Sequence, residues 1–269
     1  MIEAVKFSSG MEISSAQNPR YKNWLKLLDG RGIKKQKQAL VTGRSFIGEI
    51  LARHPERVLA VIASLPGNAN KSDNKPYGLD ELTECAPLRA MPLYLLPPDL
   101  FAALDIYGIK APILLVSAPP LPVWDGTLAS GLTVFVPFQN PINLGTTIRS
   151  AAAFGARVVL LREAATPYLP KALRAAGPAV FQVTLYQGPG IADLAEFDLP
   201  IFALSPKGSD IFRFTFPDPI GLVAGMEGPG LDAYWSIEKR LSIPMRPNVE
   251  SLNASVALSI VMAMQTAKN

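Results

Sequence analysis

Apolar residues along this chain fall into short continuous runs separated by polar, Gly- and Pro-rich breaks. In the front half the runs are "ALVTG" (39–43), "RVLAVIAS" (57–64) and "APILLVSAPP" (111–120). Further on they are "LTVFVPF" (132–138), "ARVVLL" (156–161), "AVFQVTLY" (179–186), "LPIFALSP" (199–206), "PIGLVAGM" (219–226) and "RLSIPM" (240–245). Short apolar runs bounded by turn residues read as strands buried on both faces. Helical spacings lie between them. Asn18-Pro19 starts a helix whose apolar face is Trp24, Leu25, Leu27 and Leu28, and "SFIGEILARH" (45–54) is a second. Residues 143–155 set Leu144, Ile148, Ala151 and Ala152 on one stripe, "PYLPKALRAAG" (167–177) starts another helix, and "SLNASVALSIVMAMQTAK" (251–268) is long and mostly apolar. The front reads as helix, basic turn, short strand, helix, strand. Strands alternating with helices predict an α/β fold with a parallel sheet covered on both faces. The Pro- and Gly-rich stretch "SAPPLPVWDGTLASG" (117–131) has no periodicity and predicts a linker. It separates a small α/β domain (1–116) from a second one (132–269). "PGNANKSDNKPYG" (66–78) reads as a polar loop, and no internal repeat is present.

Composition narrows the class. The chain has 269 residues, 49% of them hydrophobic and 18% charged, which suits a packed core rather than disorder. No apolar run is long enough to cross a bilayer, and the start, "MIEAVKFSSGMEISS", lacks the apolar centre of a signal peptide. A soluble, cytoplasmic protein is expected. Cys85 is the single cysteine and His54 the single histidine. One of each gives no internal disulfide and argues against a Cys/His metal site or a Ser-His-Asp triad, so a metal-free chemistry is expected.

Charge adds a direction. The net charge is +4 and the pI about 9.1. Between residues 20 and 44 there are eight basic residues (Arg20, Lys22, Lys26, Arg31, Lys34, Lys35, Lys37 and Arg44) against Asp29 alone. From residue 131 onward the balance is 11 basic to 10 acidic. A positive front suits a polyanion, held through phosphates with salt-dependent affinity. Tyr21 and Trp24 would either stack on unpaired bases or serve the core at helical spacing.

Three stretches hold the candidate chemistry. In "NPINLGTTIRSAAAFGARVVLL" (140–161) a strand precedes and a helix follows, which places Asn143 near an N-cap. Arg149 lies off the apolar stripe and is available to a partner. The G-x-G-x-x-G dinucleotide spacing is absent. In "GLVAGMEGPGLDA" (221–233) a strand runs into a turn with Gly225, Gly228 and Gly230 around Glu227. Glycines there admit a close ligand, and the acid disfavours a triphosphate. In "LSIPMRPNVESLNASVALSI" (241–260) a strand ends at Ile243-Pro244, and Ser251 and Asn253 flank Leu252 at a helix mouth. All three sit at C-terminal strand ends, where open α/β sheets bind ligands.

The order and wording of these stretches resemble the SpoU/TrmH family of RNA ribose 2′-O-methyltransferases, in the SPOUT superfamily. The first family motif is matched by Asn143, Gly145, Arg149, Phe154 and Gly155, and the second by Gly225, Glu227, Gly228 and Gly230. The third is matched by Ile243–Met245 and Ser251–Asn253. The match covers about 132–269, and the front resembles the family's RNA-binding auxiliary domain through "NPRYKNWLKL" and the basic stretch leading to "ALVTGRSFIGEIL".

The resemblance implies a trefoil-knotted α/β domain, S-adenosylmethionine as cofactor, and a homodimer formed through that domain. It implies that Gly225, Ile243 and Leu252, with Leu204, Ser205 and Met245 nearby, contact the cofactor. Arg149, Asn143, Glu227, Ser251 and Asn253 form the implied catalytic set. Arg149 orients the ribose hydroxyl and its phosphate and stabilises the developing alkoxide; Asn143 positions Arg149 or the ribose. RNA contacts fall to Arg20, Lys22, Lys34, Lys35, Lys37, Arg44 and Arg174. Two departures stand out. Where the family has Arg-x-Ser-x-Gly, this chain keeps Arg174 but has Ala176 and Pro178, and Met226 sits inside the second motif. Large-subunit ribosomal RNA is the expected substrate, by analogy of the auxiliary domain. A tRNA 2′-O-methyltransferase, a resistance enzyme acting on the ribosome and a non-catalytic RNA-binding protein are the alternatives.

Overall fold

The front apolar runs build a five-stranded sheet flanked by helices. In chain order the elements are β1 (Met11–Glu12), α1 (Pro19–Lys26), α2 (Gly30–Gln36), β2 (Gln38–Val41), α3 (Arg44–Arg53), β3 (Val58–Ser64), β4 (Leu93–Leu96), α4 (Pro98–Leu104) and β5 (Ile113–Ser117). The strand order is β1-β4-β3-β5-β2. β1, β4 and β3 run parallel, whereas β5 is antiparallel to both β3 and β2. The structure, a computed structural model, describes residues 10–66, 91–225, 231 and 233–268. Most of the 66–78 loop, Cys85, and Met226 through Gly230 with Glu227 lie outside the described residues.

α1 starts where Asn18 Oδ1 accepts the Arg20 N–H at 2.9 Å and Pro19 occupies the first helical position. The stretch read as a basic turn is instead the helix α2. Asp29 caps it, accepting the Arg31 N–H at 2.8 Å, and Ile33 anchors it in the core. Lys34 and Lys35 fall in its last turn, where cations complement the helix dipole. Lys37 closes it in the left-handed conformation, φ 54°, with its N–H on the Ile33 carbonyl.

The remaining strands form one parallel six-stranded sheet. They are β6 (Leu132–Val136), β7 (Arg157–Leu160), β8 (Leu185–Gln187), β9 (Ile201–Asp210), β10 (Ile220–Val223) and β11 (Arg240–Ser242), in the order β11-β9-β10-β6-β7-β8. Between them lie α5 (Pro141–Phe154), α6 (Pro170–Ala176) and α7 (Ile191–Ala195), and α8 (Ala254–Lys268) ends the chain. All five residues of β6 are buried, as a central parallel strand requires. The core gathers Trp124, Phe135, Val159, Ile201, Val223 and Trp235. Trp124 belongs to the Pro- and Gly-rich stretch 117–131; its ring meets Phe135 edge-on at 5.1 Å, and its Nε1 donates to the Thr127 carbonyl at 2.7 Å.

The run "AVFQVTLY" forms a strand only at its end. Residues Gly177–Phe181 make a 3₁₀ turn, and β8 begins at Leu185. Gly177 takes φ 60° and Pro178 offers no N–H, so the strand ladder cannot start there. Two units emerge from the packing. One holds the described residues up to Pro120 with Tyr168–Arg174; the other holds Leu121–Pro167 and the described residues from Ala175 onward.

Candidate active site

The polar cluster of the second unit begins at the C-terminal end of β6. Four residues after that strand, Asn140 caps α5, its Oδ1 accepting the Ile142 N–H at 2.9 Å and the Asn143 N–H at 3.4 Å. The cap itself is Asn140, with Pro141 as first helical residue, and Asn143, expected near the cap, follows three positions later. Asn143 stands one turn inside and is buried to 8% exposure, while Leu144, Ile148 and Ala151 bury the adjoining stripe. The helix closes at Gly155, whose φ of 70° is the left-handed cap a side chain would strain.

Asn143 is held from the other end of the domain. Asn253 Nδ2 donates to Asn143 Oδ1 at 3.0 Å across 110 residues of sequence. Asn253 also caps α8: its Oδ1 accepts the Ser255 N–H at 2.9 Å, the Ser255 hydroxyl at 2.7 Å and the Val256 N–H at 3.3 Å. The first and third sequence motifs thus meet through two asparagines. α5 and α8 are joined again further along, where Ser150 Oγ and Ser259 Oγ lie 2.7 Å apart and Thr266 Oγ1 donates to the Phe154 carbonyl at 3.2 Å. These contacts leave Arg149, the neighbour of Ser150, on the exposed side of α5. Its Nε donates to the Ala176 carbonyl at 3.4 Å. Ala176 thus meets Arg149 through its backbone, a contact that does not depend on the side chain at that position.

Of the expected cofactor residues, the neighbouring strand ends bring Leu204, Ser205 and Gly225 together. Ala203 pairs with Val223 on one side and with Arg240 on the other. The β11 ladder then skips to Leu241 opposite Ser209, so residues 204–208 bulge out of β9 at the level where β10 ends. Gly208 allows this: a side chain there would lie 2.6 Å from the Arg240 backbone. Leu204 and Ser205 start the bulge and are buried, and Ser205 Oγ accepts the Lys207 N–H at 3.2 Å. Gly225 follows β10. The nearest described atom to a side chain added at Gly225 is the Leu204 carbonyl oxygen, 3.9 Å away, so the backbone here is approachable. Ile243 directly follows β11 and is half-buried, as are Met245 and Leu252, whereas Ser251 is exposed. Among the described residues no cluster of three His, Cys, Asp or Glu could hold a metal.

The RNA-binding candidates divide. Arg20, Lys22, Lys34, Lys35, Lys37 and Arg44 are all exposed on the first unit. Arg20 lies over the Tyr94 ring at 5.4 Å. Arg174 is exposed too, with its guanidinium 4.2 Å above the Tyr107 ring. Tyr21 and Trp24 are core residues at 3% exposure and present no face to a base. Trp24 packs edge-on against Tyr94, and the Tyr21 hydroxyl donates to the Leu100 carbonyl at 3.1 Å. Burial pushes the Tyr21 phenol up, with Asp99 adding to it. Two residues of the polar cluster escaped the sequence reading: Asn140, signalled by the Asn-Pro pair, and Ser255, two positions after the cap.

Comparison with known proteins places the second unit beside a family of RNA-modifying enzymes. Residues 132–263 match the SpoU rRNA Methylase family. A ribosomal RNA small subunit methyltransferase G 2 from Syntrophobacter fumaroxidans is 43% identical over 96% of the chain and 50% of its own length. The chain spans about half the length of the first curated relatives it matches. A 23S rRNA (guanosine(2553)-2′-O)-methyltransferase from Bacillus subtilis is 26% identical over 93% of the chain and 97% of its own length. In fold, the chain is similar to a SpoU methyltransferase from Streptomyces viridochromogenes solved with AdoMet, with TM-score 0.70 and 24% identity over 94% of this chain and 98% of that one.

Proposed function

We propose, from the premise that the chain belongs to the SpoU rRNA methylase family through residues 132–263, that it methylates a ribose 2′-hydroxyl of RNA using S-adenosylmethionine. Ribosomal RNA is the substrate class, in keeping with the family and with a relative that matches nearly end to end. The observation that carries the reading is the Asn253–Asn143 hydrogen bond. It joins the mouth of the α5 helix to the mouth of the α8 helix at the ligand-binding edge of the sheet.

The residues present fit the cofactor. Among the described residues nothing crowds the Gly225 backbone, so a ligand can approach it closely just past the end of β10. Gly225, Leu204, Ser205, Ile243, Met245 and Leu252 would hold it. S-adenosylmethionine supplies, when bound, a methyl group already activated on sulfur. The chain must then align the ribose oxygen and lower its barrier to losing a proton. The guanidinium of Arg149 orients the hydroxyl and adjoining phosphate and stabilises the developing alkoxide, while the hydroxyl proton passes to solvent water. Asn143 positions the ribose, Ser251 holds the substrate or its loop, and Asn253 fixes Asn143. Glu227 belongs to the set by its motif. The exposed lysines and arginines of the first unit, with Arg174, hold phosphates, a largely sequence-independent task. Residues 1–116 thus serve as an RNA-binding domain, 132–269 as the methyltransferase domain, and the working assembly is a cytoplasmic homodimer.

Incubation with tritiated S-adenosylmethionine and unmodified total RNA tests this. Label entering large-subunit ribosomal RNA, and lost in Arg149→Ala, supports the reading. Label confined to transfer RNA overturns the substrate, and intact binding of cofactor and RNA without transfer overturns the activity.

A further inference from the structure

The polarity of the asparagine relay is set by groups whose hydrogens are not in question. Asn253 faces two backbone N–H groups, those of Ser255 and Val256, and these can only donate. The atom facing them must be Oδ1. The Nδ2 group then points at Asn143, which must present its own oxygen, as the 3.0 Å contact has it. Asn143 is left with its Nδ2 group as the donor directed elsewhere. The start of α8 thereby decides which end of the Asn143 carboxamide is turned away from Asn253. Ser255 is the third donor to Asn253 Oδ1, at 2.7 Å, shorter than either backbone contact. It is buried to 3% exposure, so solvent does not compete for that hydroxyl.

We infer that Ser255 is a positioning residue of the methyl-transfer site: it fixes the Asn253 carboxamide, and through it the orientation in which Asn143 meets the ribose. The inference rests on the function proposed above. Without the Ser255 hydroxyl, Asn253 keeps its two backbone donors but samples other side-chain angles, and the relay to Asn143 loosens. A single neutral hydrogen bond of ordinary strength corresponds to a fall of about two- to twelve-fold in kcat. The Michaelis constants for S-adenosylmethionine and RNA stay within about twofold, because the lost contact orients rather than binds.

The test is a double-mutant cycle in the full chain, with Ser255→Ala, Asn143→Ala and the pair, plus Ser255→Thr as the conservative variant. If Ser255 acts through Asn143, Ser255→Ala lowers kcat alone but changes it little in the Asn143→Ala background, and Ser255→Thr restores it. Additive losses, an unchanged kcat in Ser255→Ala, or a loss that only follows the folded fraction would each overturn the positioning role. A second readout does not need turnover: proton exchange of the Asn253 and Asn143 side-chain amides, followed by NMR. Ser255→Ala speeds it if the relay is as described and leaves it unchanged if not. A wild-type protein that transfers no methyl group to RNA refutes the proposed function, and amide exchange then decides the relay on its own.

Discussion

Asn253 performs two tasks with two ends of one side chain, and the substitution that separates them is Asn253→Asp. Aspartate keeps the cap, since its oxygen accepts from Ser255 and Val256 as asparagine does, and a carboxylate suits a helix N-terminus. It removes the donor to Asn143 and sets oxygen against oxygen. Asn253→Ala removes both. Loss of the cap costs about 1 kcal/mol. Depriving the buried Asn143 oxygen of that donor costs about 1–3 kcal/mol more. Asn253→Ala should therefore destabilise by about 2–4 kcal/mol, and Asn253→Asp by about 1–3 kcal/mol, less whatever the helix dipole returns. Thermal unfolding by circular dichroism should rank wild type above Asn253→Asp above Asn253→Ala. Amide exchange at Ser255 and Val256 should stay slow in the aspartate variant and quicken in the alanine one. Methyl transfer should fall in both. Equal melting temperatures for the two variants, or wild-type activity in Asn253→Asp, would refute the division of labour.

Three further outcomes are expected. Thr147 is fully buried on α5 with no partner for its hydroxyl among the described residues, so Thr147→Val should stabilise by about 1 kcal/mol in chemical denaturation. Replacing Lys34 and Lys35 together by alanine should weaken RNA binding about equally across sequences and flatten its dependence on log salt by about one to two units, measured by titration at several salt concentrations; a Trp24→Phe variant should leave that slope unchanged, because Trp24 is core. Asp218 accepts the Gly131 N–H at 2.6 Å and the Ser130 hydroxyl at 2.9 Å, which hold its carboxyl below the usual range, the backbone contact most. A depressed acid contributes stability above its unfolded pKa and loses it as pH falls through the folded one. Asp218→Ala should therefore flatten the decline in melting temperature below about pH 4.

The chain announced its layers more clearly than its joints. Strands such as Leu132–Val136 were legible because a central parallel strand is apolar at every position. "AVFQVTLY" shows the same signal failing: its β-branched and aromatic residues read as strand, but Gly177 and Pro178 turn the chain before the ladder can form. α2 was hidden for the opposite reason, since two glycines and a lysine pair argue for a turn while one aspartate cap and one buried isoleucine decide for a helix. At the site, the motifs pointed to Asn143 and Asn253 separately. Their hydrogen bond spans 110 residues, a distance over which no local pattern speaks. Ser255 was invisible because a serine in the first turn of a helix is ordinary until its hydroxyl is seen against Asn253. The antiparallel β5 had no signature at all, because direction in a buried strand leaves no periodicity.

Nucleoside mass spectrometry of ribosomal RNA after incubation with the protein and S-adenosylmethionine tests methyl transfer to a ribose oxygen most directly. A single new 2′-O-methylnucleoside, absent when Arg149→Ala replaces the wild type, is the result expected. A methyl group found on a base instead, or one that forms equally well with Arg149→Ala, would contradict the account.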